Sequence, residues 1–196
     1  MPEQKSTATS PQMTADMARK VWQRASCLYD AEALASALDS MAEAVTADLE
    51  HSNPLLLCVM TGAFVTTSEL ARRLAFPLEV DYLHASRYGD KLSGDQLHWI
   101  ARPRTALAGR HVLIVDDIFD QGATLMSIAG HCREQGAASV RSAVLVDKQH
   151  ERKLTSERPD YIGLEVPDYY VFGFGMDYRG YLRNANGLYA ASPEDC

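Results

Sequence analysis

The sequence has few cysteines and no long apolar run. Four cysteines occur among 196 residues, at Cys27, Cys58, Cys132 and Cys196, and their spacing fits neither a CxxC metal motif nor a dense disulfide framework. Free thiols, with Cys58 and Cys132 buried, are typical of a reducing cytosol, so we expect a cytoplasmic protein. No stretch approaches the roughly eighteen apolar residues that span a bilayer, and the polar N-terminus lacks the apolar segment of a signal peptide.

An excess of positive charge is also absent. The formal net charge is -7 at pH 7, which argues against a general nucleic-acid or membrane-surface binder because such proteins need a basic field. Hydrophobic residues make up 46% and charged residues 23%, the balance of an ordinary globular protein. We therefore expect a flexible tail over residues 1–12 and a single domain over residues 13–196.

Helical and strand patterns alternate through the middle of the chain. Asp30 is a candidate N-cap, and apolar residues recur at helical spacing from Leu34 to Leu49. Further helices are predicted over 13–25, 64–75 and 124–135, the last stopping at Gly136. Strands are predicted over 54–60, 78–86, 97–101, 111–119, 139–148, 161–166 and 169–178.

This alternation predicts an α/β fold with a central, mainly parallel sheet flanked by helices. Ligands of such sheets bind beyond the carboxyl ends of the strands. We therefore expect one site surrounded by the turns that follow Met60, Ser86, Ile118 and Lys148.

The most informative stretch is HVLIVDDIFDQGATL, residues 111–125. A single Asp at a strand end is usually solvated or caps the next helix, but Asp116, Asp117 and Asp120 fall within five residues. Gly122 permits a positive φ, and the helix N-terminus that follows favours an anion, with Thr124 adding a hydroxyl. The Walker pattern GxxxxGK[ST] does not occur, and a glycine-bearing turn before a helix does not by itself identify a phosphate site.

VLIVDDIFDQGAT resembles the motif with which type I phosphoribosyltransferases bind 5-phosphoribosyl 1-pyrophosphate (PRPP). It departs at Gln121, where Thr or Ser is usual. The resemblance implies that Asp116 and Asp117 contact the ribose hydroxyls and help to hold Mg²⁺, for which carboxylates are suitable ligands. It implies that the 5′-phosphate and neighbouring parts of PRPP contact Asp116, Asp117, Asp120, Gln121, Gly122, Ala123 and Thr124. It also implies a small hood, formed by about residues 13–30 and 165–196, beside the core.

VLVDK (144–148) and PDYIGLEVPDYYVFGFGMDY (159–178) resemble the C-terminal half of hypoxanthine-guanine phosphoribosyltransferases. Lys148 then donates to the purine 6-oxo group; without the resemblance it would be a solvated lysine. An ammonium cannot accept a hydrogen bond from an amino group, so hypoxanthine or guanine is favoured over adenine. The implied purine contacts are Ile118, Lys148, Tyr170, Val171 and Asp177, with Asp177 also near a second magnesium.

LLLCVMTGAF resembles the loop that binds pyrophosphate through backbone groups, often with a non-proline cis peptide. The implied pyrophosphate contacts are Thr61, Gly62, Arg152 and Arg183. Thr61 stands where relatives have Lys or Arg, so this cation is missing. ASRYGD resembles a mobile lid carrying Arg87 and Tyr88, with Arg87 in place of the usual Ser.

The resemblance implies that purine N9 displaces pyrophosphate from the ribose C1, giving IMP or GMP in purine salvage. Asp120 matches the acid/base residue that faces purine N7. The implied partners are PRPP and a 6-oxopurine, with no nucleic acid and no membrane, in a homodimer or homotetramer. Two alternatives remain: a transferase for xanthine or another oxo-base, and a non-catalytic nucleotide-sensing regulator. The acidic balance and the lack of an added DNA-binding domain disfavour the regulator.

Overall fold

A computed structural model describes residues 13–87 and 97–196, with the backbone alone for residues 86, 87 and 97. The predicted tail at 1–12 and Tyr88 of the predicted lid lie outside the described residues. The strands are β1 (Ser26–Tyr29), β2 (Leu55–Val59), β3 (Glu79–Arg87), β4 (Leu97–Ala101), β5 (His111–Phe119), β6 (Ser139–Gln149), β7 (Tyr161–Pro167), β8 (Val171–Phe172) and β9 (Leu188–Ala190). The helices are α1 (Ala15–Arg24), α2 (Ala31–Leu49), α3 (Phe64–Ala71) and α4 (Ala123–Glu134).

A six-stranded sheet forms the centre of the fold, in the order β4-β3-β2-β5-β6-β7. Its neighbouring strands are parallel, except that β4 returns antiparallel to β3. The predicted α/β fold with a mainly parallel sheet is thereby confirmed. The carboxyl ends of β2, β5 and β6 lie side by side, which places three of the predicted turns at one edge of the sheet.

The helices cover both faces of this sheet. One apolar cluster joins α2 and α3 to residues such as Leu56 and Leu113, and a second joins α4 to Leu57 and Ile114 on the opposite face. Burial on both faces explains why β2 is apolar throughout and β5 is apolar from Val112 to Val115. Among the described residues, no helix is long and apolar enough to cross a membrane.

Local capping fixes where the helices begin and end. The Asp30 carboxylate accepts a hydrogen bond from the Ala33 N–H at 2.9 Å and starts α2 as predicted. Gly136, with φ of 81°, follows the end of α4. Helix α3 ends at Ala71, four residues before its predicted end.

A second, three-stranded antiparallel sheet has the order β1-β9-β8 and combines residues from both termini. The strand predicted over 169–178 was wrong in length, because only Val171–Phe172 is a strand. Gly173, Phe174 and Gly175 have φ values of 100°, 49° and 103°, which turn the chain out of the extended conformation. Strands β1 and β9 are short, and no prediction from the sequence included them.

Candidate active site

The predicted phosphate turn lies between β5 and α4. Gly122 is the N-cap of α4 and has φ of 85°, a conformation that glycine adopts without strain. A Cβ at this position would lie 2.6 Å from the Phe119 ring and 2.8 Å from Thr155 Cγ2. No side chain of the described residues caps α4, so its first amide groups can bind an anion.

The acidic pair lies beside this turn, at the end of β5. Val115, which precedes Asp116, lies in the hydrophobic core, and Asp116 is also buried. Burial, and then the adjacent charge of Asp117, raise the pKa of Asp116 well above its ordinary value. Burial also raises the pKa of Asp117, although hydrogen bonds and the charge of Arg183 oppose this shift. Two crowded carboxylates are stabilised by hydroxyl donors or by a cation, which is what ribose and Mg²⁺ would supply.

The turn after β2 contacts the acidic pair directly. The peptide bond between Met60 and Thr61 is cis. The Asp117 carboxylate lies so close to Gly62 that a Cβ there would be 1.8 Å from Asp117 Oδ2. A Cβ at Gly175 would in turn be 2.1 Å from the Gly62 carbonyl oxygen. Only glycine fits at these two close approaches.

Arg183 and Asp177 complete this end of the site. The Arg183 guanidinium donates to the Gly175 carbonyl at 2.7 Å and forms an ion pair with Asp177 at 2.7 Å. The second Asp177 carboxylate oxygen accepts from the Gly180 N–H at 2.6 Å. The structure therefore brings together Gly62, Asp117, Asp177 and Arg183, which are separated by up to 121 positions along the chain.

The other end of the site is built from β6 and the segment after it. Lys148 Nζ lies 3.5 Å from Asp120 Oδ2, and His150 Nε2 lies 2.5 Å from Asp120 Oδ1. Arg152 forms a bidentate pair with Asp168, at 2.5 and 2.9 Å. The side chain of Arg152 therefore contacts Asp168, and its backbone N–H donates to His150 Nδ1 at 3.0 Å.

The remaining predicted purine contacts lie at different depths. Tyr170 is exposed, and its ring packs edge-on against Tyr178 with a centroid distance of 5.1 Å. Val171 is buried in β8, and the partly buried Ile118 packs against the core. For Arg87 the structure describes the backbone at the end of β3, and its side chain lies outside the described residues, as does Tyr88.

The sequence predictions included Arg152 but no other residue of the segment 150–155, which lies over the phosphate turn. Lys153 Nζ donates to the Phe119 carbonyl at 2.7 Å, and the Leu154 N–H donates to the Gln121 carbonyl at 2.9 Å. Strand alternation could have indicated His150, because it follows Lys148 by two residues and therefore points to the same side. No local pattern indicates the hydrogen bonds that Lys153 Nζ and the Leu154 N–H donate to backbone carbonyls of the turn.

Comparisons with known proteins identify the family to which this chain is similar. Residues 25–179 match the family model described as the phosphoribosyl transferase domain. The hypoxanthine-guanine-xanthine phosphoribosyltransferase of Tritrichomonas foetus is 32% identical over 157 residues, covering 80% of this chain and 86% of that protein. The hypoxanthine-guanine phosphoribosyltransferase of Lactococcus lactis is 35% identical over 156 residues, covering 79% and 84%.

Solved structures also indicate similarity to phosphoribosyltransferases. A variant of the hypoxanthine phosphoribosyltransferase of Trypanosoma cruzi, complexed with the product IMP, matches with a TM-score of 0.80 at 28% identity. The match covers 88% of this chain and 93% of that one. The resemblance inferred from the sequence motifs is thus confirmed, and the chain belongs to the phosphoribosyltransferase family.

Proposed function

We propose that this chain transfers the phosphoribosyl group of PRPP to hypoxanthine or guanine, giving IMP or GMP and pyrophosphate. The observation that carries the proposal is the pairing of Lys148 with Asp120 beside the open N-terminus of α4. One small region then contains three groups. Lys148 is a cation for an oxo group, Asp120 is a carboxylate for a purine nitrogen, and the N-terminus of α4 is an anion site. The relatives named above act on oxopurines, in agreement with this choice of base.

The turn from Asp120 to Thr124 would bind the 5′-phosphate through backbone amides and the Thr124 hydroxyl. Asp116 and Asp117 would accept hydrogen bonds from the ribose hydroxyls. Because the acidic pair precedes the turn at the end of β5 and the amides follow it at the start of α4, we expect one sugar phosphate to reach both. Binding of PRPP would thereby fix the ribose C1 in front of the base.

The acidic pair fits Mg²⁺ chemically, since this ion is usually held by one or two carboxylates together with substrate oxygens. Among residues 13–87 and 97–196, no group of three or more His, Cys, Asp or Glu side chains is placed to hold a metal. Asp116 and Asp117 would therefore hold the ion together with PRPP, with Asp177 close to a second one. Bound Mg²⁺ would stabilise the negative charge that develops on the leaving pyrophosphate.

The turn after β2 would bind the pyrophosphate. We assign this role to Thr61, Gly62 and Arg183, where Arg183 supplies the positive charge that Thr61 lacks. Arg152, paired with Asp168, would have to exchange that partner to reach the pyrophosphate. Arg87 and Tyr88 belong to the proposed lid, whose closure would keep water from the activated sugar.

The base would lie between Tyr170 and the β5 and β6 ends, with Ile118, Val171 and Asp177 around its edge. Lys148 would donate to the 6-oxo group, and Asp120 would exchange a proton with N7 as the glycosidic bond forms at N9. A hydrogen bond involving a charged group contributes about 1.5–3 kcal/mol. Lys148→Met should therefore lower kcat/KM for hypoxanthine and guanine by about 10- to 100-fold.

The decisive experiment measures turnover of PRPP with a panel of bases: hypoxanthine, guanine, xanthine, adenine and orotate, with Mg²⁺. We expect hypoxanthine or guanine to be used best. A preference for xanthine would support the first alternative, and turnover of adenine or orotate alone would rule out the assignment of Lys148. Binding of DNA at physiological salt without turnover of any base would support the regulator.

The role of Asp120 has its own test. Asp120→Ala should lower kcat by about 10²–10⁴-fold while PRPP still binds. Asp39→Ala is a matched control, because the Asp39 carboxylate is 64% exposed on α2 and pairs with Arg73, and neither residue belongs to the proposed site. A near-normal kcat of Asp120→Ala would remove this residue from the acid/base role.

Assembly and location complete the proposal. A homodimer or homotetramer is favoured by the exposed apolar side chains Val80, Tyr82 and Ile100 on β3 and β4, the last two strands at one side of the sheet. Sedimentation should show at least a dimer, and Tyr82→Glu should weaken it.

A cytoplasmic location is favoured by the free, buried thiols of Cys58 and Cys132. We also propose that residues 13–30 and 165–196 act as a hood over the base.

A further inference from the structure

The side chain of His150 uses both ring nitrogens next to the proposed acid/base residue. It is only 4% exposed, and its Nε2 lies 2.5 Å from Asp120 Oδ1. The backbone N–H of Arg152 donates to its Nδ1 at 3.0 Å. His150 is therefore held from one side by backbone and contacts Asp120 from the other.

These two contacts determine which ring nitrogen carries the proton. A backbone amide can only donate, so Nδ1 must be the acceptor and have no proton. The neutral ring then carries its proton on Nε2, which points at the Asp120 carboxylate. His150 is consequently a fixed hydrogen-bond donor to Asp120 Oδ1.

The same segment also fixes the backbone on both sides of Asp120. Lys153 bonds the carbonyl of Phe119, and Leu154 bonds the carbonyl of Gln121. Lys153 is itself anchored by the buried Asp147, at 2.7 Å. Residues 150–154 thus hold both the side chain and the flanking peptide groups of Asp120.

Lys148 contacts Asp120 differently. Its Nζ lies 3.5 Å from Oδ2, at the limit of a hydrogen bond. Such a weak contact can be exchanged for a purine oxo group, and Oδ2 then becomes available to the base. The stronger bond from His150 keeps Oδ1 in place during that exchange.

We propose that His150 is a positioning residue that orients Asp120 so that Oδ2 faces the purine. The inference rests on the proposed function, because it gives Asp120 its role. His150 acts on the chemical step through the geometry of Asp120, and it makes no contact with PRPP in this scheme. A displacement of a reacting group by about 1 Å can cost about 10²-fold in rate.

The first test compares His150→Leu with His150→Gln in steady-state kinetics. Leu removes the donor, and kcat should fall about 10- to 100-fold while KM for PRPP changes less than about 3-fold. Gln places an amide N–H near the former Nε2, and kcat should recover to within about 5-fold of the wild type. His111→Leu is a matched control, because His111 bonds Ser139 at the opposite end of the sheet.

Two results would overturn the inference. One is a His150→Leu enzyme with wild-type kcat; the other is equal loss in the Leu and Gln variants, which would indicate packing alone. A double-mutant cycle adds a third check: in an Asp120→Ala background, His150→Leu should lower kcat by less than about 2-fold. A full additional loss there would show that His150 acts by another route.

A spectroscopic test does not depend on activity. The ¹⁵N shifts of the His150 ring in the ligand-free protein should show a protonated Nε2 and an unprotonated Nδ1. The opposite tautomer would overturn the inference even in an active enzyme. Failure of the wild type to turn over any base would instead reject the proposed function and leave the tautomer result to decide the geometry.

Discussion

The contact between Gly62 and Asp117 makes a sharp prediction for Gly62→Ala. The new Cβ would lie 1.8, 2.4 and 2.9 Å from the three atoms of the Asp117 carboxyl group. Ordinary contacts begin at 3.4 Å, so the nearest oxygen would have to move by about 1.6 Å. The substitution therefore displaces a side chain proposed to contact the ribose and the metal.

Neither partner can move away freely. Asp117 is held next to the buried Asp116, and the Ile118 N–H donates to its Oδ1 at 2.8 Å. Gly62 cannot shift toward Gly175, because the two backbones already pack closely. A Cβ on Gly175 would lie only 2.1 Å from the Gly62 carbonyl oxygen. The clash of the new Cβ must therefore be relieved by a shift of Asp117 or of the turn after β2.

The expected loss follows from this geometry. A misplacement of about 1 Å costs about 10²-fold, so kcat/KM for PRPP should fall by about 10²-fold or more in Gly62→Ala. Overpacking in a well-packed region costs about 1–3 kcal/mol. For a chain of this size the thermal midpoint should fall by about 2–10 °C.

The assay is steady-state kinetics at varied PRPP, together with thermal unfolding of the ligand-free protein. Gly130→Ala in α4 is the matched control, because a Cβ at this position would meet nothing within 4 Å beyond the neighbouring residues and backbone of its own helix. This control should keep wild-type kinetics and gain up to about 1 kcal/mol of stability. A folded Gly62→Ala enzyme with kcat/KM within about 3-fold of the wild type would refute the reasoning.

Two further predictions concern buried carboxylates. Because burial and the charge of Asp117 destabilise ionised Asp116, Asp116→Asn should raise the unfolding free energy of the ligand-free protein at pH 7 by about 0.5–2 kcal/mol while lowering activity; a lower midpoint in thermal unfolding would contradict this. Burial acts to raise the pKa of Asp147, but hydrogen bonds from Lys153 and Arg158 outweigh it and hold the pKa below its usual value. The stability that this group contributes is present above its unfolded pKa of about 3.9 and is lost as the pH falls through the lower folded pKa. Asp147→Asn should lower the free energy of unfolding by about 2 kcal/mol at pH 7, a modest value because Lys153 and Arg158 are both partly exposed. Urea unfolding should show that this difference becomes smaller below about pH 4. A difference that does not depend on pH would count against the ion pairs.

Patterns local in the chain were sufficient for the main elements. The apolar run before Asp116 predicted a buried strand, and the spacing from Asp30 to Leu49 predicted α2 with its cap. The strand predicted over 169–178 failed because Phe174 adopts a positive φ, which its side chain gives no reason to expect. Strand β1 was missed because four residues, two exposed and two partly buried, carry too little periodicity to distinguish them from a loop.

The sequence by itself determined the type of chemistry at this site. The order of aliphatic, acidic, glycine and threonine residues in VDDIFDQGAT can be read locally. The turn and the helix N-terminus that form the proposed anion site lie within a few residues of one another in the chain. Only the tertiary structure decided which distant groups meet those carboxylates. Gly62 reaches Asp117, and His150 reaches Asp120, because neighbouring parallel strands bring their carboxyl ends together across long connections. Gly175 and Arg183 follow β8, where Gly175 packs against the Gly62 carbonyl and accepts a hydrogen bond from Arg183. Such contacts depend on backbone approach and on hydrogen bonds between segments, and neither leaves a periodic signal in the chain.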